Sequence, residues 1–200
     1  MIRIILLFGF LNCLRFIFAE VAPNERMQSI LDNLPKDSLR IDSLNEWALQ
    51  HRYANLSLSI SLAKMAGELA LKSNNSEGYA LSNYRLGLLY RMKEMPDSSV
   101  WHYRKALQNW QSTENAERIV NSLNAISKVY RMQGSYDSAL FYGYKALEIC
   151  RLDNDTANIA KSQTKIAIIY ELTGEYDKAA EIHANNLELY KSIGDEQGIA

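Results

Sequence analysis

Apolar positions along the chain recur with the three- and four-residue spacing of helices that bury one face. Ile41, Leu44 and Ala48 share one such face, and Leu58 and Leu62 share the next. Short polar stretches interrupt the pattern at regular intervals. The spacing predicts eight helices in four pairs: 41–51 with 58–70, 79–92 with 98–110, 119–132 with 138–152, and 159–172 with 178–191.

The helix pairs repeat at an offset of forty residues. Tyr90, Tyr130 and Tyr170 fall at the same point of successive pairs, and the turn at 134–139 returns at 174–179. A single helix pair cannot bury its apolar face alone, so units repeated at this period stack on one another. We therefore expect an all-α solenoid of antiparallel helix pairs.

Two features of the repeat predict how the helices begin and meet. Small residues at matched positions should let neighbouring helix backbones approach closely: Gly87, Ala139, Ala167 and Ala179. An aspartate stands where the second helix of three pairs begins: Asp97, Asp137 and Asp177. We expect its side-chain oxygen to accept hydrogen bonds from free backbone N–H groups and its charge to favour the positive helix end.

The repeated residues resemble a known pattern. Leu86-Gly87-x-x-Tyr90, Gly134-x-Tyr136-x-x-Ala139 and Ala146 are similar to the motif of the tetratricopeptide repeat (TPR) family, and their period of forty resembles its longer-helix variety. The resemblance implies a right-handed superhelical solenoid. The layout of a signal followed by such repeats also resembles the periplasmic TPR regions of bacterial sensor and regulator proteins.

The predicted organisation is a signal peptide at 1–19, a lead-in or capping segment at 20–35 and a TPR solenoid at 36–200. The solenoid is predicted to hold four repeats and the start of another: about 36–75, 76–115, 116–155 and 156–195, then 196–200. We expect that start to leave an apolar helix face open at the C-terminal end, which would be available for self-association.

The N-terminus has the layout of a secretory signal. A positively charged head at Met1–Arg3 precedes the apolar run Ile4–Leu11, and small Ala19 precedes a polar segment. Arg15 leaves too few uncharged residues in a row for a membrane-spanning helix. We expect export to the periplasm with cleavage after Ala19, and membrane contact only through the signal or a downstream anchor. A lipoprotein site at Cys13 is disfavoured because the apolar run before it is short.

Composition and charge narrow the classes of partner. The chain is 48% apolar and 22% charged, which indicates a soluble protein with a substantial core. Its 22 basic and 23 acidic residues give a net charge of −1, so nothing favours nucleic acid or a membrane surface. Loss of Arg3 and Arg15 with the signal would take the net charge from −1 to −3. Cys150 would then be the single cysteine, and no internal disulfide could form.

Residue patterns typical of catalysis or metal binding do not occur in the sequence. His51, His102 and His183 fall in different repeats without companion ligands, and no His-Glu-x-x-His or phosphate-loop motif is found. Cys150 lies on an apolar stripe, which is typical of a buried thiol. The segment 153–155 lacks the glycine and closing glutamate of a calcium loop. We therefore expect a non-enzymatic protein without a cofactor or a metal.

The resemblance assigns the concave groove of the solenoid to the first helix of each pair. Carried onto this chain, the exposed groove positions are Tyr84, Arg85, Leu88, Arg91, Asn121, Asn124, Lys128, Arg131, Lys161, Thr164, Lys165 and Ile168, with Glu171 beside them. Six Lys and Arg against one Glu make this set basic. Such side chains can hold the backbone and carboxylates of an extended, acidic peptide. The alternative is that they are the solvated faces of ordinary helices.

Two functions follow from these observations. The first is a non-enzymatic protein-interaction module that binds a peptide or protein partner in its concave groove. The alternative is the extracytoplasmic sensory input region of a signal-transduction protein, such as a histidine kinase or a DNA-binding regulator. The two differ in what lies downstream of the repeats.

Overall fold

The computed structural model describes residue 29, residues 38–113 and residues 115–194. Eight α-helices and no strand lie in this part of the chain: α1 (Ser38–Gln50), α2 (Leu56–Lys72), α3 (Ser76–Met92), α4 (Pro96–Ser112), α5 (Ala116–Met132), α6 (Tyr136–Leu152), α7 (Thr156–Thr173) and α8 (Tyr176–Ile193). The chain divides into two units, Met1–Arg40 and Ile41–Ala200, and the second contains nearly all of these helices.

Several predictions fall outside the described residues. They are the signal peptide at 1–19 with Cys13, the lead-in segment at 20–35 apart from Ser29, and the start of a further repeat at 196–200. The paired helices themselves are confirmed. They begin up to one turn before the predicted starts, because the first turn of each helix precedes its first buried apolar residue. α5, for example, begins at Ala116, and its first buried residue is Val120.

The first helix of three pairs begins at an N-cap residue whose side chain caps the helix. The sequence pattern identified these stretches only as polar loops. The side-chain oxygens of Asn75, Asn115 and Asp155 accept hydrogen bonds from the backbone N–H three residues on, at 2.8, 3.1 and 3.0 Å. Asn55 caps α2 in the same way at 3.0 Å. Each cap satisfies an N–H group that the helix leaves unpaired, and is worth about 1 kcal/mol.

The capping predicted for the three aspartates is wrong. Asp97, Asp137 and Asp177 lie inside the first turn of α4, α6 and α8. The N-cap position before each helix belongs to a residue that makes no side-chain capping hydrogen bond: Met95, Ser135 and Glu175. The three aspartates nevertheless place a negative charge in the first turn of each helix, as predicted, where it favours the positive end of the helix dipole.

The turns place one residue in the left-handed region at intervals of twenty or forty residues. The residues with positive φ are Asn74 at 52°, Glu94 at 59°, Gly134 at 73°, Asn154 at 54°, Gly174 at 80° and Gly194 at 67°. Asn74 and Asn154 lie between pairs, Glu94, Gly134 and Gly174 lie within pairs, and Gly194 follows α8. Glycine adopts this conformation freely, whereas Glu94 does so at a steric cost.

Each helix from α2 to α7 packs against the next one in the chain. Cα atoms of successive odd-numbered helices also come within 8 Å of one another, α3 with α5 and α5 with α7, whereas in the described residues no such approach joins α4 to α6 or α6 to α8. In a curved stack the inner helices lie closest together. The odd-numbered helices therefore form the inner row of the solenoid, and the even-numbered helices form the outer row.

The core consists of apolar clusters shared by neighbouring helices. One cluster joins Val100 and Tyr103 of α4 to Ile126 and Val129 of α5. Further clusters connect α3 with α4, α5 with α6, and α6 with α7 and α8. Because each cluster lies between adjacent helices, no single centre holds the fold together, as expected of a helical repeat superhelix.

Small residues allow the close helix contacts that the sequence predicts. Ser99 of α4 donates its hydroxyl to the carbonyl oxygen of Gly87 at 2.7 Å, and Ser127 of α5 donates to that of Ala139 at 2.7 Å. A serine hydroxyl reaches a neighbouring backbone only where the two helices nearly touch. Ala167 is fully buried as well.

Across the described part of the chain, no helix combines the length and the apolar character needed to cross a membrane.

Candidate functional site

The inner row brings several basic residues of three helices together. Arg91 ends α3, Lys128 and Arg131 lie in the last turns of α5, and Lys161 and Lys165 lie on α7. All five belong to the predicted groove set. They are called the cation cluster below.

The charges of α3 and α5 act on one another at Lys128. Desolvation lowers the pKa of Lys128, and the nearby guanidinium groups of Arg91 and Arg131 lower it further. Tyr53, from the turn after α1, opposes this effect. A cation whose pKa falls because of neighbouring cations lies in a positive potential. Three successive helix pairs therefore contribute to one surface around Lys128.

Lys165 extends this surface to α7. Desolvation is the largest cause that lowers its pKa, and the charges of Lys161 and Lys128 add to it, while the Cys150 thiol has the opposite effect. Its ammonium group donates to the backbone carbonyl of Lys161 at 3.4 Å. The cation cluster thus runs along the inner row from Arg91 to Lys165.

No carboxylate among the described residues forms an ion pair with any member of the cation cluster. The ion pairs of this part of the chain join Arg118 to Glu77, Lys178 to Glu175, His183 to Glu171, and Lys191 to Glu188. Among the described residues, these cations therefore repel one another without a compensating carboxylate. An anionic ligand would relieve that repulsion.

Other predicted groove residues serve the packing of the fold. Tyr84 packs against Tyr103 and Trp110, with ring centroids 5.3 and 5.5 Å apart, and burial raises its pKa. Leu88 packs against the cluster of α4 and α5. The Thr164 hydroxyl donates to the backbone carbonyl of Ala160 at 3.0 Å. These side chains support the inner row more than they present a binding surface.

The remaining predicted positions differ in exposure. Asn121 and Lys161 are exposed, Ile168 is half-buried, and Asn124 is buried with its Oδ1 atom unpaired in this part of the structure. Arg85 is half-buried. Burial lowers the pKa of Arg85, and the carboxylate of Glu46 opposes that shift.

The histidines and the cysteine occupy separate environments. His102 stacks on Tyr90, with ring centroids 5.1 Å apart, and its Nδ1 lies 3.0 Å from Oδ1 of Asn83. His183 contacts Glu171 at the surface. Cys150 is buried against the hydroxyl of Ser162 at 3.7 Å, and burial raises the pKa of the thiol. Among the described residues, no three His, Cys, Asp or Glu side chains come close enough to hold a metal ion.

Sequence reasoning missed two exposed apolar residues beside the cation cluster. Tyr53 follows α1, and Met132 ends α5, with its Sδ atom 4.0 Å from Nη1 of Arg91. The repeat pattern of the sequence could have identified both residues, because each directly follows an arginine, as Met92 follows Arg91.

Comparison with known proteins agrees with this architecture. Residues 68–151 match the family model of the tetratricopeptide repeat. No curated protein matches the chain. Three similar solved structures show the same fold at low sequence identity.

A signal transduction ATPase with numerous domains from Pyrococcus horikoshii, which has a tetratricopeptide repeat sensor, has a TM-score of 0.76 at 16% identity, over 88% of this chain and 28% of that chain. A Rap protein complexed with competence and sporulation factor has a TM-score of 0.73 at 16% identity, over 88% of this chain and 49% of that chain. Aspartyl phosphate phosphatase F from Bacillus subtilis has a TM-score of 0.72 at 17% identity, over 80% of this chain and 43% of that chain.

The chain spans less than half the length of each of these three proteins. At these identities the likeness concerns the fold alone. The family match over residues 68–151 and the paired helices agree: the described chain has the fold of tetratricopeptide repeat proteins.

Proposed function

We propose that this chain is a protein-interaction module that binds an acidic peptide or protein segment along its inner row of helices. The observation that carries the proposal is the cation cluster. Five basic side chains from α3, α5 and α7 lie in one positive potential, and no carboxylate of the described residues pairs with them.

Like charges held together without partners reduce the stability of a fold. A folded chain that gathers them on a surface gains from a ligand that brings carboxylates. Arg91 and Arg131 suit this task because a guanidinium group can bind a carboxylate through two parallel hydrogen bonds. Lys128 and Lys165 add point charges, and the exposed amide of Asn121 can hydrogen-bond a peptide backbone.

The similar structures support a module of this kind. One of them is a Rap protein in complex with competence and sporulation factor, and another carries a tetratricopeptide repeat sensor. Repeat surfaces of stacked helices are extended and concave, which suits the recognition of a peptide segment. The module requires no cofactor, and we propose no catalytic step for it.

A second candidate function is the sensory input region of a signal-transduction protein. The repeat sensor of the Pyrococcus horikoshii protein favours it, because the described helices share that fold over 88% of this chain. The predicted signal peptide at 1–19 would place the region outside the cytoplasm, in the periplasm. Both candidates use the same surface, so a ligand for the inner row is expected in either case.

The test is selection from a library of random peptides displayed on phage, with the purified chain immobilised. Peptides selected by the unchanged chain should be enriched in Asp and Glu. An Arg91→Glu/Arg131→Glu variant should lose that enrichment. A matched Lys105→Glu/Lys145→Glu variant, with the same change in charge on the outer helices, should keep it. Selected peptides no more acidic than the library, or unaffected by the inner-row variant, would contradict the proposal.

A further inference from the structure

A row of apolar side chains runs beside the cation cluster at the ends of the inner helices. Each member directly follows a charged residue where an odd-numbered helix ends or the next turn begins, in the pairs Arg52-Tyr53, Arg91-Met92, Arg131-Met132 and Glu171-Leu172. Tyr53, Met92, Met132 and Leu172 are called the edge row below. Its members recur at offsets of thirty-nine and forty residues, as the repeats do.

The edge row is exposed although its side chains are large and apolar. Tyr53 is 78% exposed, Met132 58% and Leu172 50%, while Met92 is half-buried. Exposed apolar side chains are ordinary when they are scattered, whereas these four recur at one position of successive repeats. The exposed faces of Tyr53, Met132 and Leu172 contribute little to the core and are available to contact a ligand.

Contacts between neighbouring repeats join the edge row to the cation cluster. Within the turn after α1, the guanidinium carbon of Arg52, a further cation outside the cation cluster, lies 4.4 Å from the ring centre of Tyr53. Nη1 of Arg91 lies 4.0 Å from Sδ of Met132, which belongs to the next helix pair. Lys128 is close enough to Tyr53 and to both inner-row arginines for their charges to alter its pKa. Apolar and cationic groups of three repeats thus form one mixed surface.

We propose that this mixed surface selects an extended peptide in which acidic and large apolar side chains are neighbours. The inference rests on the proposed function and specifies its ligand. The carboxylates would bind the arginines and Lys128, and the apolar side chains would cover Tyr53 and Met132. Burial of that apolar surface would add binding free energy that a purely acidic peptide cannot supply.

The repeat spacing sets the register of the peptide. Packed helices have axes about 8–10 Å apart, and a peptide in the extended polyproline II conformation advances about 3.1 Å per residue with three residues per turn, so that every third side chain faces the same way. One helix pair therefore corresponds to about three peptide residues. Arginine precedes the apolar residue at the ends of α1, α3 and α5, whereas Glu171 takes that place on α7, where it contacts His183. The structure thus favours three acidic–apolar steps and rejects an acidic residue at the fourth.

The probe is a synthetic peptide of about nine residues that repeats serine, glutamate and leucine, with an amidated C-terminus and a fluorescent label. Two control peptides replace every leucine by serine or every glutamate by glutamine. Fluorescence anisotropy at low salt measures binding to the full chain. The unchanged chain should bind the first peptide about tenfold more tightly than either control, which is a difference of about 1.4 kcal/mol.

Protein variants assign that difference to the edge row. Tyr53→Ser/Met132→Ser should weaken binding of the leucine peptide about tenfold and leave the serine control peptide unchanged. Leu152→Ser provides the matched control, because Leu152 is 78% exposed at the end of the outer helix α6. It should change neither affinity. Circular dichroism verifies that each variant keeps its helical content.

The outcomes separate this inference from the proposed function. Equal affinity for the leucine and serine peptides would overturn the edge-row inference and leave the acidic-ligand proposal standing. Equal affinity for the glutamate and glutamine peptides would contradict the acidic-ligand proposal. If no peptide binds at about 1 mM, both are contradicted. Loss of affinity in the Leu152→Ser variant would show general apolar adhesion in place of an edge-row site.

Discussion

A Cβ atom added to Gly87 of α3 would lie 2.6 Å from Cδ1 of Tyr103 of α4. The Tyr103 ring lies directly on the backbone of α3, is almost fully buried and contacts the edge of the Tyr84 ring. Packing this tight leaves no room for another carbon atom. The absence of a side chain at Gly87 therefore fixes how closely the two helices of the second pair approach.

A Gly87→Ala substitution should destabilise the fold by about 1–3 kcal/mol, because the added methyl group must displace the Tyr103 ring. Gly67→Ala on α2 is the matched control. Its Cβ would lie 3.5 Å from Cβ of Ser82, an ordinary contact, and alanine favours a helix interior by about 0.5–1 kcal/mol. Urea unfolding should move the midpoint down for the first variant and up for the second. A shift in the same direction for both would contradict the packing argument.

Glu94 is a second test of local backbone conformation. It has a φ of 59° in the turn between α3 and α4, where its repeat equivalents are Gly134 and Gly174. We expect Glu94→Gly to raise the unfolding free energy by up to about 1 kcal/mol, since glycine avoids the left-handed strain. Gly134→Ala should lower it by about 1 kcal/mol from backbone strain alone, because nothing lies within 4 Å of the added carbon. Thermal unfolding of both variants decides between this expectation and a turn that tolerates either residue.

Glu77 joins three helices through one hydrogen bond and one ion pair. Its carboxylate accepts a hydrogen bond from Nε1 of buried Trp110 at 3.0 Å and forms an ion pair with Nε of Arg118 at 2.9 Å. Glu77→Ala should cost about 1–3 kcal/mol because the Trp110 N–H loses its acceptor. Arg118→Met removes a partly exposed ion pair and the cation–π contact of the Arg118 guanidinium with the Trp110 ring, 5.3 Å away, and should cost about 1 kcal/mol, less than Glu77→Ala. Chemical unfolding followed by tryptophan fluorescence measures both, and equal losses would mean that the ion pair dominates.

His102 should make the stability depend on pH below neutrality. Burial, aided by the charge of Lys64, lowers its pKa to about 4, whereas an unfolded histidine titrates near 6.5. Between these values the unfolded chain binds the proton and the folded chain does not. The contribution of His102 to the free energy of unfolding is therefore complete above about pH 6.5. It is lost as the pH falls towards 4, and the loss is at most about 3 kcal/mol.

His102→Asn removes that titration. The difference in unfolding free energy between pH 7 and pH 5 should be smaller in this variant than in the unchanged chain. The same comparison in a His183→Asn variant serves as the control, because His183 is exposed at the surface. An unchanged pH dependence in the His102 variant would show that other groups carry it.

The helical pattern was predictable because it depends on local rules. The apolar spacing and the forty-residue register placed all the helix pairs, and the small residues at Gly87 and Ala139 lie at close contacts, as predicted. Capping was harder to predict. Asn75 and Asp137 both lie close to the start of a helix in the sequence pattern. Asn75 is the N-cap residue and accepts a capping hydrogen bond, whereas Asp137 lies inside the first turn and makes none, and only the backbone geometry decides this difference.

The candidate site was predictable only in part, because burial depends on the neighbouring repeats. Repeat register placed Arg91, Lys128 and Arg131 on one surface. It could not show that Tyr84 is enclosed by Tyr103 and Trp110, since that packing depends on which residues the next helix carries. Nor could it show that the cations have no carboxylate partner in the part of the chain that the structure describes, because an ion pair depends on distances between helices.

The cation cluster is proposed to bind an acidic ligand. The most direct measurement is the thermal unfolding of three proteins at low salt, each with and without an excess of polyglutamate peptide. The proteins are the unchanged chain, Arg91→Glu/Arg131→Glu, and the outer-helix control Lys105→Glu/Lys145→Glu. Without peptide, the inner-row variant should be no less stable than the unchanged chain, since it relieves repulsion around Lys128.

With peptide at about a hundred times its dissociation constant, the unchanged chain and the control should gain about 2.7 kcal/mol of stability. The inner-row variant should gain none. Salt should reduce the gain, because screening weakens the attraction between the cations and the carboxylates. A peptide that stabilises all three proteins equally, or none of them, would contradict the assignment of the inner row as an acidic-ligand site.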